Sequence, residues 1–189
     1  MKIPTNNEFY SESLKEHGIS AQGVRWNNKH SQYKRFEAIT KRIKKDIAAS
    51  TIIDVGCGFG EYFSYLKTNK KSPMKYIGID CEKDMINICQ KRFQTEEFHH
   101  LDVLKEDLPY GDYLVCSGAL NILEYDDVEL FISKCFKHSQ KGFVFNSLKN
   151  LTFNNIKQHE VIDICKKYSQ KISIFDGYLH NDFTILMVK

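Results

Sequence analysis

The chain has 189 residues, a length typical of one globular domain that buries about 70% of its unfolded surface. Hydrophobic residues make up 42% and charged residues 27%, and no apolar run approaches the ~20 residues of a membrane span, which excludes a membrane-spanning chain. The net charge is +3, and residues 1–50 hold ten lysines and arginines against five acids, whereas residues 51–189 hold 17 against 19.

Cysteine spacing and the first residues indicate whether the chain binds a metal and where it is located. The six cysteines follow no zinc-binding spacing, which predicts reduced thiols and no metal site. Residues 1–7 lack the apolar core of a signal peptide, so a cytoplasmic location is predicted. The oligomeric state stays open.

The first predicted element is a helix inside an N-terminal extension that covers residues 1–48. Over residues 31–48, apolar side chains recur at intervals of three and four, which is typical of an amphipathic helix. Lys34, Lys41 and Lys45 lie on a different face, which is interpreted either as a solvated surface or as a surface for phosphate groups.

Residues 49–189 form the second predicted part, in which strands and helices alternate as in a parallel sheet covered by helices on both faces. Only about ten residues separate the strand ending near Leu101 from the next, so a helix there is expected to be absent or a single turn. The last two strands are too close in sequence for a helical crossover and are predicted to be antiparallel. The predicted elements are strand 51–56, helix 60–69, strand 75–80, helix 83–94, strand 97–101, strand 112–117, helix 126–138, strand 141–148, helix 154–168, and strands 171–175 and 183–188.

A glycine-rich turn follows the first strand of this core. Asp54 precedes three glycines at alternate positions, Gly56, Gly58 and Gly60. Glycine allows positive φ and lets the backbone approach a bound polar molecule. The dinucleotide-binding fingerprint requires a glycine where this chain has Glu61, which disfavours a nucleotide-dependent oxidoreductase.

Acids also end the next two predicted strands, at Asp80 and Asp102. Together with the acid and the three alternate glycines, this pattern resembles the class I S-adenosylmethionine-dependent methyltransferases. The resemblance covers residues 51–189 and implies an α/β, three-layer, Rossmann-like fold. Its seven-stranded, mostly parallel sheet would have the order 3-2-1-4-5-7-6 with an antiparallel last hairpin, helices on both faces and an N-terminal helical lid.

The resemblance also implies the cofactor, S-adenosylmethionine, which leaves as S-adenosylhomocysteine. Open α/β sheets bind ligands at the carboxyl ends of their strands. Asp54 and the glycine turn would line the methionine half, Asp80 the ribose and Asp102 the adenine. Asp54 could instead cap backbone amides in the turn, and Asp80 and Asp102 could each be a helix N-cap. The predicted cofactor contacts are Trp26, Arg35, Asp54, Gly56, Cys57, Gly58, Gly60, Asp80, Cys81, Met85, Asp102, Val103, Ser117 and Gly118.

Two of these contacts leave alternatives open. Arg35 is one of several candidates for the methionine carboxylate, with Arg25, Trp26 and Gln32, and a surface role is the alternative. Cys57 is interpreted as a small residue tolerated in the turn rather than as a nucleophile, because no histidine is near it in sequence.

No catalytic base is assigned from the sequence. If the acceptor is a hydroxyl, His180, Tyr178 and Glu124 lie in loops that could reach the crevice, and an ordinary loop role is the alternative for each.

The acceptor is predicted to be a small molecule, and nucleic acid is disfavoured. The segment after the fourth core strand, residues 117–121, lacks the Asn/Asp-Pro-Pro-Tyr/Phe signature of enzymes that methylate exocyclic amines. Oxygen methylation of a sugar or a phosphate-bearing precursor is favoured, because a basic lid would suit an anion. Two alternatives stay open: an RNA methyltransferase that uses the basic N-terminal helix, and a non-catalytic S-adenosylmethionine-binding protein. Residues 141–146 and 176–184 look similar to segments of small bacterial methyltransferases.

Overall fold

The computed structural model describes residues 29–43, 45–149 and 156–189. Within them, seven strands form one sheet. The strands are β1 (Thr51–Val55), β2 (Lys75–Asp80), β3 (Glu97–His100), β4 (Gly111–Ser117), β5 (Ser139–Leu148), β6 (Lys171–Asp176) and β7 (Asp182–Val188).

The strand order is β3-β2-β1-β4-β5-β7-β6, which confirms the predicted topology. Strands β1 to β5 pair in parallel, whereas β7 is antiparallel to both β5 and β6. The carboxyl ends of β1 to β5 therefore meet at one edge of the sheet, and the beginning of β7 lies at the same edge because Asp182 pairs with Leu148.

Five helices cover the sheet in the described part of the chain. They are α1 (Lys29–Ile43), α2 (Glu61–Thr68), α3 (Lys83–Arg92), α4 (Tyr125–His138) and α5 (Gln158–Tyr168). Short 3-10 segments span Ile47–Ala49 and Ala119–Ile122. Residues 150–155, where the sequence predicts the start of the last helix, lie outside the described residues.

The core consists of two apolar clusters, and β1 contributes side chains to both. Ile53 and Val55 pack in the cluster that includes side chains of α4 and α5. Ile52 packs in the other cluster, with side chains of α1, α2 and α3. Both faces of the sheet are thus apolar and covered, which is why the strands have apolar runs rather than strict alternation. The three-layer architecture is confirmed.

The N-terminal helix differs from its predicted length, because α1 ends at Ile43 whereas the sequence predicts a helix to residue 48. The Asp46 carboxylate accepts a hydrogen bond from the Tyr113 hydroxyl at 2.9 Å, and its carbonyl accepts one from the Ser50 hydroxyl at 2.7 Å. These contacts fix a turn that directs the chain into β1. Residues 1–28 of the predicted lid lie outside the described residues, and the division of the chain after residue 48 stays a prediction.

The link between β3 and β4 is a single turn, as predicted. The amides of Lys105 and Glu106 both donate to the carbonyl of Asp102, at 3.0 and 2.9 Å. In the described parts of the chain, none of the helices has the length and apolar character that crossing a membrane requires.

Candidate functional site

The glycine turn after β1 is tied to the end of β2. The amides of Gly56 and Cys57 both donate to the carbonyl of Ile79, at 2.9 and 3.0 Å. The φ angles of Gly56, Gly58 and Gly60 are 74°, 54° and 75°, a region that residues with a Cβ rarely adopt. The turn therefore presents backbone without side chains at the edge of the sheet where the strands end.

Asp80 joins this turn to helix α3. Its carboxylate accepts the amide hydrogens of Gly58 at 2.8 Å and of Glu82 at 2.9 Å. The N-cap position of α3 is Glu82, so Asp80 is not the helix N-cap that the sequence left open. Burial raises the pKa of Asp80, and the two amide hydrogen bonds oppose that rise. Each carboxylate oxygen has two lone pairs, so both oxygens keep acceptor capacity for a ligand.

Asp54 lies buried on β1, below the turn. Its carboxylate accepts a hydrogen bond of 2.5 Å from the Tyr76 hydroxyl. This partner is a side chain rather than the turn amides that the sequence offered as the alternative. Burial raises the pKa of Asp54 to about 7, with the Tyr76 hydrogen bond lowering it and the charge of Asp80 raising it. Its contact with the methionine half of the cofactor stays a prediction.

Asp102 begins the single turn after β3. Its carboxylate accepts hydrogen bonds from the Leu104 amide at 3.0 Å and the Lys105 ammonium at 2.7 Å. Burial raises the pKa of Asp102, but the hydrogen bonds from these two residues outweigh it, so the pKa is lowered. Capping of this turn is therefore part of its role, and the adenine contact of Asp102 and of the neighbouring, buried Val103 stays a prediction.

The remaining predicted contacts near β1 and β2 differ in exposure. Cys57 is buried, and burial raises the pKa of its thiol well above the ordinary value, which disfavours a nucleophilic thiolate. Met85 is buried in the first turn of α3, whereas Cys81 is exposed directly after β2.

A row of polar side chains crosses the sheet at the ends of β4 and β5 and the start of β7. Ser117, Asn146 and Thr184 are cross-strand neighbours in register. The Ser117 hydroxyl donates to the Asn146 Oδ1 at 3.0 Å, and the Asn146 Nδ2 donates to the Thr184 Oγ1 at 2.7 Å. Gly118 follows Ser117 with a φ of 97° and turns the chain away from the strand.

Tyr178 completes this row from the connection between β6 and β7. Its hydroxyl oxygen accepts hydrogen bonds from the Asn146 Nδ2 at 3.0 Å and from the Thr184 hydroxyl at 2.9 Å. We call Ser117, Asn146, Thr184 and Tyr178 the polar row. Asn146 and Thr184 are absent from the sequence predictions, and the signal for Asn146 is an amide directly after the apolar run 143–145.

Arg35 lies beside the polar row and binds a carboxylate of the protein itself. Its guanidinium makes a bidentate ion pair with Asp182, through Nε to Oδ1 and through Nη2 to Oδ2 at 3.1 Å. The two side chains are only 11% and 6% exposed. A role of Arg35 toward the cofactor carboxylate stays a prediction, and Gln32 lies buried on the same helix.

The other sequence candidates do not join the polar row. His180 is exposed in the connection between β6 and β7, and Glu124 is exposed directly before α4. Trp26 and Arg25 lie outside the described residues.

Parts of this chain are similar in sequence to known proteins. Residues 52–142 match the model of a family described as a methyltransferase domain. The chain is 33% identical over 67 residues to the fatty-acid O-methyltransferase of Mycolicibacterium smegmatis, a match that covers 35% of this chain and 24% of that protein. It is 22% identical over 149 residues to the carboxy-S-adenosyl-L-methionine synthase of Helicobacter pylori, covering 76% and 61%. The chain thus spans less than two thirds of these relatives.

Solved structures share the fold at low sequence identity. The N-methyltransferase NodS from Bradyrhizobium japonicum WM9, in complex with S-adenosyl-L-homocysteine, has a TM-score of 0.72 at 15% identity and covers 95% of this chain and 97% of its own. The TehB-like SAM-dependent methyltransferase from Corynebacterium glutamicum has a TM-score of 0.71 at 14% identity, covering 99% and 100%.

The sheet order and the glycine turn define the class I methyltransferase fold. Residues 52–142 thus match a methyltransferase domain, and the solved structures that share this fold include an S-adenosylmethionine-dependent methyltransferase and an N-methyltransferase in complex with S-adenosyl-L-homocysteine.

Proposed function

We propose that this chain transfers the methyl group of S-adenosylmethionine to an oxygen atom of a small molecule. The observation that carries the proposal is that the glycine turn and Asp80, on β1 and β2, lie at the same sheet edge as the polar row on β4, β5 and β7. One half of this edge suits the cofactor and the other half suits an oxygen-bearing acceptor.

The residues present fit the cofactor. A ribose offers two hydroxyl donors, and the buried Asp80 carboxylate keeps free acceptor capacity on both oxygens. The side-chain-free turn at Gly56 and Gly58 lets a ligand approach the backbone closely. When bound, the cofactor supplies a methyl group activated by a positively charged sulfur.

The contribution of the protein would be placement of the acceptor and exclusion of water. Holding two reactants in line supplies a large part of the barrier reduction in such a displacement. The polar row is suited to this task, because its hydrogen bonds fix Ser117 and Tyr178 relative to the sheet.

Two classes of acceptor oxygen remain within this proposal. A hydroxyl of a sugar or a phosphate-bearing precursor is supported by the basic excess of residues 1–50. A carboxylate is supported by the 33% identity to a protein named as a fatty-acid O-methyltransferase.

Methylation of RNA is the weaker alternative. Its support is the lysine face of the N-terminal helix, but Glu37 pairs there with Lys34 at 3.5 Å and with Lys41 at 2.8 Å. These pairs reduce the positive charge that the face offers to phosphates. RNA binding that weakens steeply with salt would favour this alternative.

The proposal is tested by incubating the protein with S-adenosylmethionine and panels of alcohols, sugars, sugar phosphates and carboxylates. We expect release of S-adenosylhomocysteine that depends on one acceptor and yields a methyl ether or a methyl ester. Methylation of RNA alone would contradict a small-molecule acceptor. Cofactor binding without any transfer would indicate the non-catalytic alternative.

A further inference from the structure

We propose that the Tyr178 hydroxyl binds the methyl acceptor as a hydrogen-bond donor and that the acceptor is a carboxylate. This inference rests on the proposed function and narrows it to one class of acceptor oxygen. It is carried by the hydrogen bonds of the polar row and by the ion pair beside it.

The polar row is a closed group of hydrogen-bonding atoms. The Asn146 Oδ1 accepts from Ser117, and the Asn146 Nδ2 lies within hydrogen-bond distance of both the Thr184 and the Tyr178 oxygens. The Thr184 hydroxyl also donates to the Tyr178 oxygen. The Tyr178 oxygen is thus the acceptor in both contacts, and among the described residues no atom is recorded as accepting its own proton.

The surroundings of the Tyr178 hydroxyl suit a neutral donor. Tyr178 is half-buried at the sheet edge that carries the polar row. The pKa of Tyr178 is raised, chiefly by burial and also by the charge of Asp182, while the hydrogen bonds from Thr184 and Asn146 and the charge of Arg35 oppose that rise. The phenol therefore keeps its proton at neutral pH. The adjacent Arg35–Asp182 pair is neutral as a whole, so it does not repel an anionic acceptor.

The chemistry of methyl transfer favours a carboxylate acceptor beside this donor. A donor bonded to the attacking lone pair would hold back the electrons that form the new bond. A carboxylate avoids this conflict, because one oxygen accepts from Tyr178 while the other attacks. The attacking oxygen forms its bond to the methyl carbon as the carbon–sulfur bond breaks, the electron pair stays on sulfur, and no proton is lost.

A hydroxyl acceptor would need a base to accept its proton, whereas a carboxylate acceptor has no proton to lose. Within the described residues, the groups beside Tyr178 are unsuited to that role. Asp182 is held by Arg35, and Tyr178 itself is protonated. His180 and Glu124 are exposed, and in the described residues neither is recorded in a hydrogen bond with the polar row.

The test compares Tyr178→Phe with Tyr168→Phe in the full chain saturated with S-adenosylhomocysteine. Tyr168 is a matched control. It is the last residue of α5, and its hydroxyl donates to Glu129 on α4, away from the polar row. The probes are hexanoate, decanoate and benzoate, with the corresponding alcohols, and binding is followed by NMR. We expect carboxylates to bind the wild type and the control, and Tyr178→Phe to weaken them about tenfold or more without changing the affinity for S-adenosylhomocysteine.

The results separate this inference from the proposed function. Equal carboxylate affinity in the wild type and Tyr178→Phe, or no carboxylate binding to the wild type, would overturn the inference. Transfer to an alcohol would overturn it too but would leave the proposed function standing. Failure of the wild type to bind S-adenosylhomocysteine would remove the proposed function itself.

A second measurement needs no variant. Above the pKa of about 7 of Asp54, between about pH 8 and pH 9, the transfer rate of the wild type with a carboxylate acceptor is expected to be nearly flat, because no proton leaves the acceptor. A rate that rises with pH across this interval would indicate a hydroxyl acceptor and would contradict the inference.

Discussion

At the scale of single residues, the site combines buried acids whose hydrogen bonds differ in kind. Asp80 is held by two backbone amides, whereas Asp54 is held by one phenol. An acid held by amides stays available as a charged acceptor for a ligand. Burial instead favours the protonated form of Asp54, and the single hydrogen bond from Tyr76 opposes this only in part.

Asp54 yields a pH-dependent prediction. Its pKa is raised to about 7 in the folded protein, against roughly 3.9 in an unfolded chain. The folded state therefore binds more protons than the unfolded state between these values, and the stability that Asp54 contributes is lost as the pH rises through about 7. In Asp54→Asn, an amide oxygen can still accept from Tyr76.

As the pH rises from 4 to 8, we expect the free energy of unfolding of Asp54→Asn to increase relative to that of the wild type by roughly 2–4 kcal/mol. The measurement is chemical unfolding of both proteins across this range. A difference in the free energy of unfolding that does not change with pH would contradict the raised pKa.

At the scale of elements, the turn after β1 and the short segment after β4 are packed against each other. A Cβ built on Gly56 would lie 2.7 Å from the Cβ of Ala119, in the 3-10 segment Ala119–Ile122. The glycine is thus required by the positive φ of the turn and also by the neighbouring element.

Gly56→Ala tests this packing, and Gly177→Ala is its matched control. Both glycines have positive φ, at 74° and 80°, but a Cβ on Gly177 would meet nothing within 4 Å. We expect Gly177→Ala to cost about 1–2 kcal/mol of unfolding free energy from φ alone and Gly56→Ala to cost about 1–3 kcal/mol more. Equal losses in thermal unfolding would show that the contact with Ala119 carries no strain.

At the scale of the whole molecule, local patterns predict the strands and the acids at their ends, whereas the strand order is predicted by the resemblance to the class I methyltransferases. The apolar run of β1 and the alternate glycines after Asp54 are readable without knowledge of the other strands. The turn after α1 is not readable in this way, since the Tyr113 hydroxyl that donates to Asp46 in this turn is distant in sequence.

The polar row shows the same limit at the site. Ser117, Asn146 and Thr184 become neighbours only through the register of β4, β5 and β7. Register across an antiparallel pair is set by long-range pairing and by the turn, so periodicity along one strand does not reveal it. For the same reason, the pairing of Arg35 with Asp182 is not predicted from the sequence.

The central claim is that the sheet edge at β1 and β2 binds the adenosyl cofactor through Asp80. Its most direct test is calorimetric titration of S-adenosylhomocysteine into the wild type, Asp80→Asn and the exposed control Asp84→Asn. We expect binding to the wild type and to Asp84→Asn with equal affinity, and a loss of about tenfold or more in Asp80→Asn, as for hydrogen bonds to a charged group. No binding to the wild type, or equal affinity in all three proteins, would contradict the claim.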